Sequence, residues 1–145
     1  MPTATPYLFF NGSCREAFTS YADILGAEGT PDFAGFDQLP PDDEMSGAVP
    51  SNAVMHAALH LGGGSWIYGS DDVSPDGSPA MAGCNVHVSY PTYAEAEGVF
   101  EKLWKGGEVR MPFKAEFWTP GFGALSDRWG IRWMVSVDAP QQEGA

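Results

Sequence analysis

The 145-residue chain is predicted to be an α+β protein built from two paired βαβββ modules, and three observations predict it. Two S/T-x-x-E capping boxes occur, Ser13-Cys14-Arg15-Glu16 and Thr92-Tyr93-Ala94-Glu95. In such a box the hydroxyl accepts from a free first-turn N–H, and the Glu reaches back to the cap residue. Each box follows a short apolar segment and precedes apolar residues at helical spacing. Each helix is then followed by two strand-like segments around a turn.

The elements follow in order. After the first strand, Ala17, Phe18, Tyr21 and Leu25 form the apolar stripe of a helix that Gly26 should end, because a left-handed residue commonly closes helices. Ala53–Leu61 and Ser65–Ser70 read as strands joined by Gly62-Gly63-Gly64. In the second half, Ala96, Val99, Phe100, Leu103 and Trp104 make the matching stripe, closed by Gly106-Gly107. Gly121–Ser126 and Ile131–Val137 then flank the turn-forming Asp127-Arg128-Trp129-Gly130. Segments 27–38 and 108–117 are the remaining strand candidates, the former weak in pattern. Superposing the boxes pairs Ser13 with Thr92, Glu16 with Glu95, Ala17 with Ala96 and Tyr21 with Phe100. The expectation is a single domain over 1–145. Module one runs from about 4 to 70, a linker from 71 to 82 and module two from 83 to 138, before a short C-terminal tail. Pro40-Pro41-Asp42-Asp43-Glu44 lies in a long insertion, 39–52, that reads as a flap within module one. Asp71-Asp72 reads as a solvated turn.

Composition narrows the partners. With 43% hydrophobic and 13% aromatic residues the chain can bury a core without covalent staples. A net charge of −12 argues against nucleic acid, whose affinity comes mainly from Lys and Arg. The same charge fits either an acidic, soluble surface or attraction of a cationic small molecule. No apolar run approaches the roughly 20 residues of a membrane span. The opening Met1-Pro2-Thr3-Ala4-Thr5 has no signal pattern, and Cys14 and Cys84 are expected to be reduced, so a cytoplasmic location is expected. Cys14, beside a helix cap, is expected to carry a somewhat lowered pKa.

The duplicated unit resembles the vicinal-oxygen-chelate superfamily of glyoxalase, bleomycin-resistance and dioxygenase type, and its wording resembles the PhnB-like branch. The residues responsible are Pro6-Tyr7-Leu8-Phe9-Phe10-Asn11-Gly12 leading to Glu16-Ala17 and Tyr21, and Leu25-Gly26-Ala27-Glu28. Gly106-Gly107-Glu108-Val109-Arg110-Met111-Pro112, Phe117-Trp118, Phe122-Gly123 and Asp127 through Met134 complete the set. The resemblance implies paired modules whose mixed sheets curl around a concave groove, and a homodimer. In enzymes of the superfamily a divalent metal sits there on His, Glu or Gln, polarising substrate oxygens as a Lewis acid. Other members only bind and sequester drugs.

Carried onto this sequence, the ligand-equivalent positions are Pro6, Asn85 and Met134, with Ile67 or Tyr68 on the fourth strand. Pro offers no donor and a thioether suits soft metals only. A slip of one residue gives Tyr7, Val86 or His87, and Trp133 or Val135, which assemble no three-ligand site. His56 and His60 share one strand face but stand about 13 Å apart, too far for one ion. They read as solvent-facing or core-edge residues. The groove candidates are Asn85, His87, Ser89, Tyr68, Trp118, Arg132, Met134 and Ser136. His87 reads as a hydrogen-bond partner or general base for a ligand, or as a satisfied structural histidine. Arg132 reads as a clamp for a carboxylate or phosphate, or as a strand-end charge. Trp118 reads as a stacking wall or as core.

There is no G-x-G-x-x-G, G-x-x-x-x-G-K-[ST] or C-x-x-C, and nothing resembles a methyl-donor site. The functional expectation is therefore a protein that binds a small organic ligand in an aromatic-rich groove with no cofactor or metal centre. The alternative is a metal-dependent lyase, isomerase or dioxygenase of the same superfamily.

Overall fold

A computed structural model describes residues 1–38, 50 and 52–138. The chain divides into two compact units, Met1–Pro79 and Ala80–Ala145. In the first, β1 (Tyr7–Phe10) leads to α1 (Cys14–Leu25), β2 (Asp32–Gly35), a 3-10 turn at Phe36–Gln38, β3 (Val54–Gly62) and β4 (Ser65–Asp71). In the second, β5 (Val86–Tyr90) leads to α2 (Tyr93–Trp104), β6 (Glu108–Glu116), β7 (Thr119–Ser126) and β8 (Arg132–Val137). The sheets run β1-β4-β3-β2 and β5-β8-β7-β6. In each, the opening strand pairs in parallel with the closing strand, and the other neighbours are antiparallel. The predicted α+β duplication is therefore the observed fold. Most of the 39–52 insertion lies outside the described residues.

Each helix covers one face of its own sheet, and among the described residues of that unit no helix covers the other. Ala17, Phe18, Tyr21 and Leu25 are all buried, as the stripe predicted, against Leu8, Phe10, Ala57, Leu59 and Ile67. Burying a side chain of this size contributes roughly 1.5–3 kcal/mol. Gly69 permits the close seating of α1. A Cβ there would lie 2.7 Å from a Phe18 ring carbon and 2.8 Å from the Leu8 carbonyl. In the second unit Ala96, Val99, Phe100 and Leu103 are buried, and Gly123 lets the Phe100 ring onto β7 in the same way. Trp104 departs from the predicted stripe. It is only half-buried, because its indole N–H turns back to the Glu101 carboxylate at 2.9 Å.

The two capping boxes have different fates. In α2 the box forms: the Thr92 hydroxyl accepts from the Glu95 amide at 3.2 Å and donates to the Glu95 carboxylate at 3.0 Å. In α1 the Ser13 side chain makes no cap bond. Its place is taken by Asp71, from the end of β4, whose Oδ1 accepts from Gly12 N at 3.1 Å and Cys14 N at 2.9 Å. Asp71 Oδ2 accepts from Val54 N at 2.9 Å. A buried carboxylate outcompetes a hydroxyl here because charge-assisted bonds are about twice as strong and the helix N-terminus is electropositive. Asp71 is thus a buried strand residue, 4% exposed, and no solvated turn. Asp72 follows the strand end and is bonded to Ser74 and Ser78. Cys14 also departs from expectation. Burial, reinforced by the Asp71 charge and only partly offset by Arg15, pushes its thiol up to about 12. Both cysteines are free thiols, Cys14 buried and Cys84 exposed.

Candidate functional site

The helix-free face of the first unit is a layer of rings. Along β1, Leu8 and Phe10 point into the core, so Tyr7 and Phe9 are left outside, 42% and 54% exposed. By the same alternation β3 presents His56 and His60, and β4 presents Trp66 and Tyr68. Strand register brings these residues together, with Tyr68 opposite Tyr7 and Trp66 opposite His60. Phe9 and Tyr7 have centroids 5.3 Å apart, and Tyr7 lies 5.6 Å from His56. His56 meets Tyr68 at 5.1 Å, and Tyr68 meets Trp66 at 6.2 Å. Trp66 stacks on His60 at 4.4 Å with 23° between planes. The polar edges are anchored. Tyr7 Oη and His56 Nδ1 are 3.1 Å apart, and His60 Nε2 donates to the Gly63 carbonyl at 2.8 Å. His60 Nδ1 lies 3.6 Å from the Glu28 carboxylate. Both histidines thus lie on the helix-free face of an interior strand, held by neighbours.

The second unit has a more polar helix-free face. His87 and Ser89 are exposed on β5 while Val86 and Val88 are buried, and on β8 Arg132, Met134 and Ser136 alternate with the buried Trp133, Val135 and Val137. Parallel register sets His87 beside Met134 and Ser89 beside Ser136. His87 Nε2 and Ser136 Oγ are 2.8 Å apart, so the ring already has a partner. Trp118, half exposed in the β6–β7 turn, rests edge-on against Phe122 at 4.8 Å. Asn85, just before β5, accepts a hydrogen bond from Arg110 through its side-chain oxygen. Arg110 reaches there from β6, where the register slips between Val109 and Met111, and the same Nη2 donates to the Leu125 carbonyl at 2.9 Å.

The candidate residues therefore fall into two groups. Asn85, His87, Ser89, Trp118, Arg132, Met134 and Ser136 belong to the second unit, and Tyr68 belongs to the ring layer of the first. Tyr7, Phe9, Trp66 and Arg110 are additions that sequence reasoning did not nominate. For the first three the signal was present in the alternation Tyr7-Leu8-Phe9-Phe10 and Trp66-Ile67-Tyr68, whose outward members are all aromatic. A shallow cleft at the head of α1 includes Asn11, Asn52, Asp71 and Asp72. Asn11, Asp71 and Asp72 are already bonded within the fold, Asn11 to Ser78 in both directions.

The superfamily's metal centre can be tested against these residues. Pro6 supplies only its carbonyl, which accepts from Tyr68 N at 3.0 Å. The Asn85 oxygen faces a guanidinium, and Met134 offers a thioether. Ile67, Val86, Trp133 and Val135 are buried core residues. Among the described residues no group of three or more His, Cys, Asp or Glu could hold a metal ion. A hard divalent cation does not fit this donor set.

Two βαβββ units, each with its opening strand parallel to its closing strand, make the fold that this chain shares with solved members of the glyoxalase/bleomycin resistance protein/dioxygenase superfamily. More narrowly, it belongs to one family with protein PA1353 of Pseudomonas aeruginosa. The two are 35% identical over 97% of this chain and 100% of that one, with a TM-score of 0.80. Protein YjdN of Escherichia coli K12 is 28% identical over 140 residues, covering 92% of this chain and 93% of its own length. The PhnB protein from Bacillus cereus shares the fold at 22% identity, 94% and 100% coverage and a TM-score of 0.74. So does a glyoxylase/bleomycin resistance protein/dioxygenase domain from Frankia, at 17% identity, 94% and 97% coverage and 0.62. No protein-family model matches the chain.

Proposed function

We propose that this PhnB-like chain binds a small planar organic ligand without a metal centre, by stacking it on the ring layer of the first unit. The observation that carries this reading is the continuous run Phe9, Tyr7, His56, Tyr68, Trp66 and His60 on a face with no helix over it. Single exposed aromatics are ordinary, but a contiguous patch of them marks a binding surface. The anchored edges fix the rings in place, so little side-chain freedom is lost when a ligand arrives. Tyr7 Oη, His56 and the outer edge of Tyr68 supply hydrogen-bonding groups to orient it. The donor set described above supports the metal-free part of the reading. We further propose a cytoplasmic homodimer; light scattering should give twice the 15.5 kDa of one chain. Titration with planar aromatic compounds tests the binding reading. Saturable quenching of Trp fluorescence whose midpoint rises about tenfold or more in Trp66→Leu supports it; a midpoint unchanged in that variant refutes it.

A further inference from the structure

The second unit holds a pair of arginines that, among the described residues, form no ion pair. The chain has only seven basic residues against 19 acidic ones. Two of the seven meet along β7: the Arg110 guanidinium donates to the Leu125 carbonyl, and Arg132 is in register with the adjoining Ser126, so that the Arg132 charge acts on Arg110. Among the described residues, the ion pairs join other groups, His60 with Glu28 and Lys114 with Glu116. Among the described residues neither arginine has a carboxylate within 4.0 Å. Both Nε atoms are buried and, among the described residues, without a hydrogen-bond partner. A buried guanidinium N–H left unmade is costly, and a second guanidinium beside it adds repulsion. Glu108 opposes that repulsion only partly. Its charge acts on Arg110 more weakly than burial and Arg132 do.

The arrangement is also built rather than incidental. Arg110 sits at the β6 register slip, which re-aims its side chain toward Asn85. Its Nη2 is committed to Asn85 and to the Leu125 carbonyl, which fixes the group and leaves Nη1 and Nε unassigned. Arg132 lies on β8 opposite Ser126, with its backbone N–H donated to the Met81 sulfur at 3.2 Å. Its guanidinium has no hydrogen-bond partner among the described residues, so a full planar fork is left for an acceptor.

We propose that Arg110 and Arg132 form a binding site for a small oxyanion, a carboxylate or phosphoryl group, in the second unit. One oxyanion accepts two parallel N–H bonds from the Arg132 fork and a further bond from the Arg110 guanidinium, which Asn85 holds in position. It neutralises both charges at once and turns the repulsive pair into a clamp. The proposal does not rest on the ring layer, and its test is separate from the one above.

The test is NMR of the arginine Nε–Hε signals in the full chain, titrated with inorganic phosphate and with acetate against sodium chloride at matched ionic strength. Saturable shifts of the Arg110 and Arg132 signals, with those of Arg15 and Arg128 unmoved, are expected. Saturation by phosphate alone assigns a phosphoryl ligand, and saturation by acetate as well assigns a carboxylate. In Arg132→Gln the response of Arg110 should weaken about tenfold or more; Arg128→Gln, which alters an exposed residue, should leave it unchanged. Shifts that match those in chloride, or that affect all four arginines alike, overturn the proposal, and the unmodified protein alone gives that answer.

Discussion

The Asp71 Oδ1 atom lies 2.9 Å from the backbone nitrogen of Cys14, a contact across 57 residues that starts the first helix. It ties the last strand of the first unit to its helix, and through Oδ2 and Val54 N it ties in β3 as well. Asp71→Ala removes a charged acceptor from three buried or part-buried amides. Hydrogen bonds to charged groups contribute roughly 1.5–3 kcal/mol each, with incomplete additivity, so a loss of about 3 kcal/mol or more is expected. Ser13→Ala, which removes no cap bond, should stay within about 0.5 kcal/mol. Thr92→Ala should cost about 1 kcal/mol, because that hydroxyl does cap α2. Urea unfolding of the three variants measures all three; equal losses for Ser13→Ala and Asp71→Ala would contradict the assignment.

Cys14 makes the same junction sensitive to alkali. Its folded thiol is pushed up to about 12 from an ordinary 9.0. Between those values the unfolded chain sheds the proton while the folded chain keeps it. Stability from this group is therefore complete below about pH 9 and falls as pH rises, by up to about 1.4 kcal/mol per pH unit. Cys14→Ala should lack this component, so its stability should converge on that of the parent chain as the pH is raised. At neutral pH a thiol reagent should label exposed Cys84 and leave Cys14 untouched unless the chain unfolds.

Close approach of helix to sheet gives a further contrast. Gly69→Ala places a methyl group 2.7 Å from the Phe18 ring and 2.8 Å from a backbone oxygen, where neither side has room. Overpacking of this kind costs typically 1–3 kcal/mol. Gly64→Ala meets nothing within 4 Å and should change stability by less than about 0.5 kcal/mol. Thermal melts of the two variants should separate them by several degrees, and coincident melts would argue against the tight seating of α1.

How far the sequence was legible follows from range. The helical stripes, their closing glycines and both hairpins rest on contacts between near neighbours, and they appear in the structure largely where the spacing put them. The replacement of Ser13 by Asp71 depends on a strand far along the chain, so a local motif that formed at Thr92 could not be told from one that did not. Arg110 depends on a register slip in β6 with no local signature. The ring layer was legible in principle, because parity alone exposes Tyr7, Phe9, Trp66 and Tyr68. Attention to ligand-equivalent positions led instead to the second unit, where His87 proves to be paired with Ser136.

The ring layer predicts a graded response to substitution. Trp66→Leu and Tyr7→Leu should each weaken binding of a planar aromatic compound by about tenfold or more, since stacked and edge-to-face rings contribute roughly 0.5–1.5 kcal/mol beyond their buried area. Phe117→Leu should have no effect, as that side chain is fully exposed in the β6–β7 turn. Fluorescence or calorimetric titration distinguishes the cases.

The most direct test of metal-free binding on the ring layer is one titration of tryptophan fluorescence with planar aromatic compounds, run before and after exhaustive chelation. The account predicts saturable quenching with the same midpoint in both runs. Binding that disappears with the chelator and returns with a stoichiometric divalent metal would contradict it.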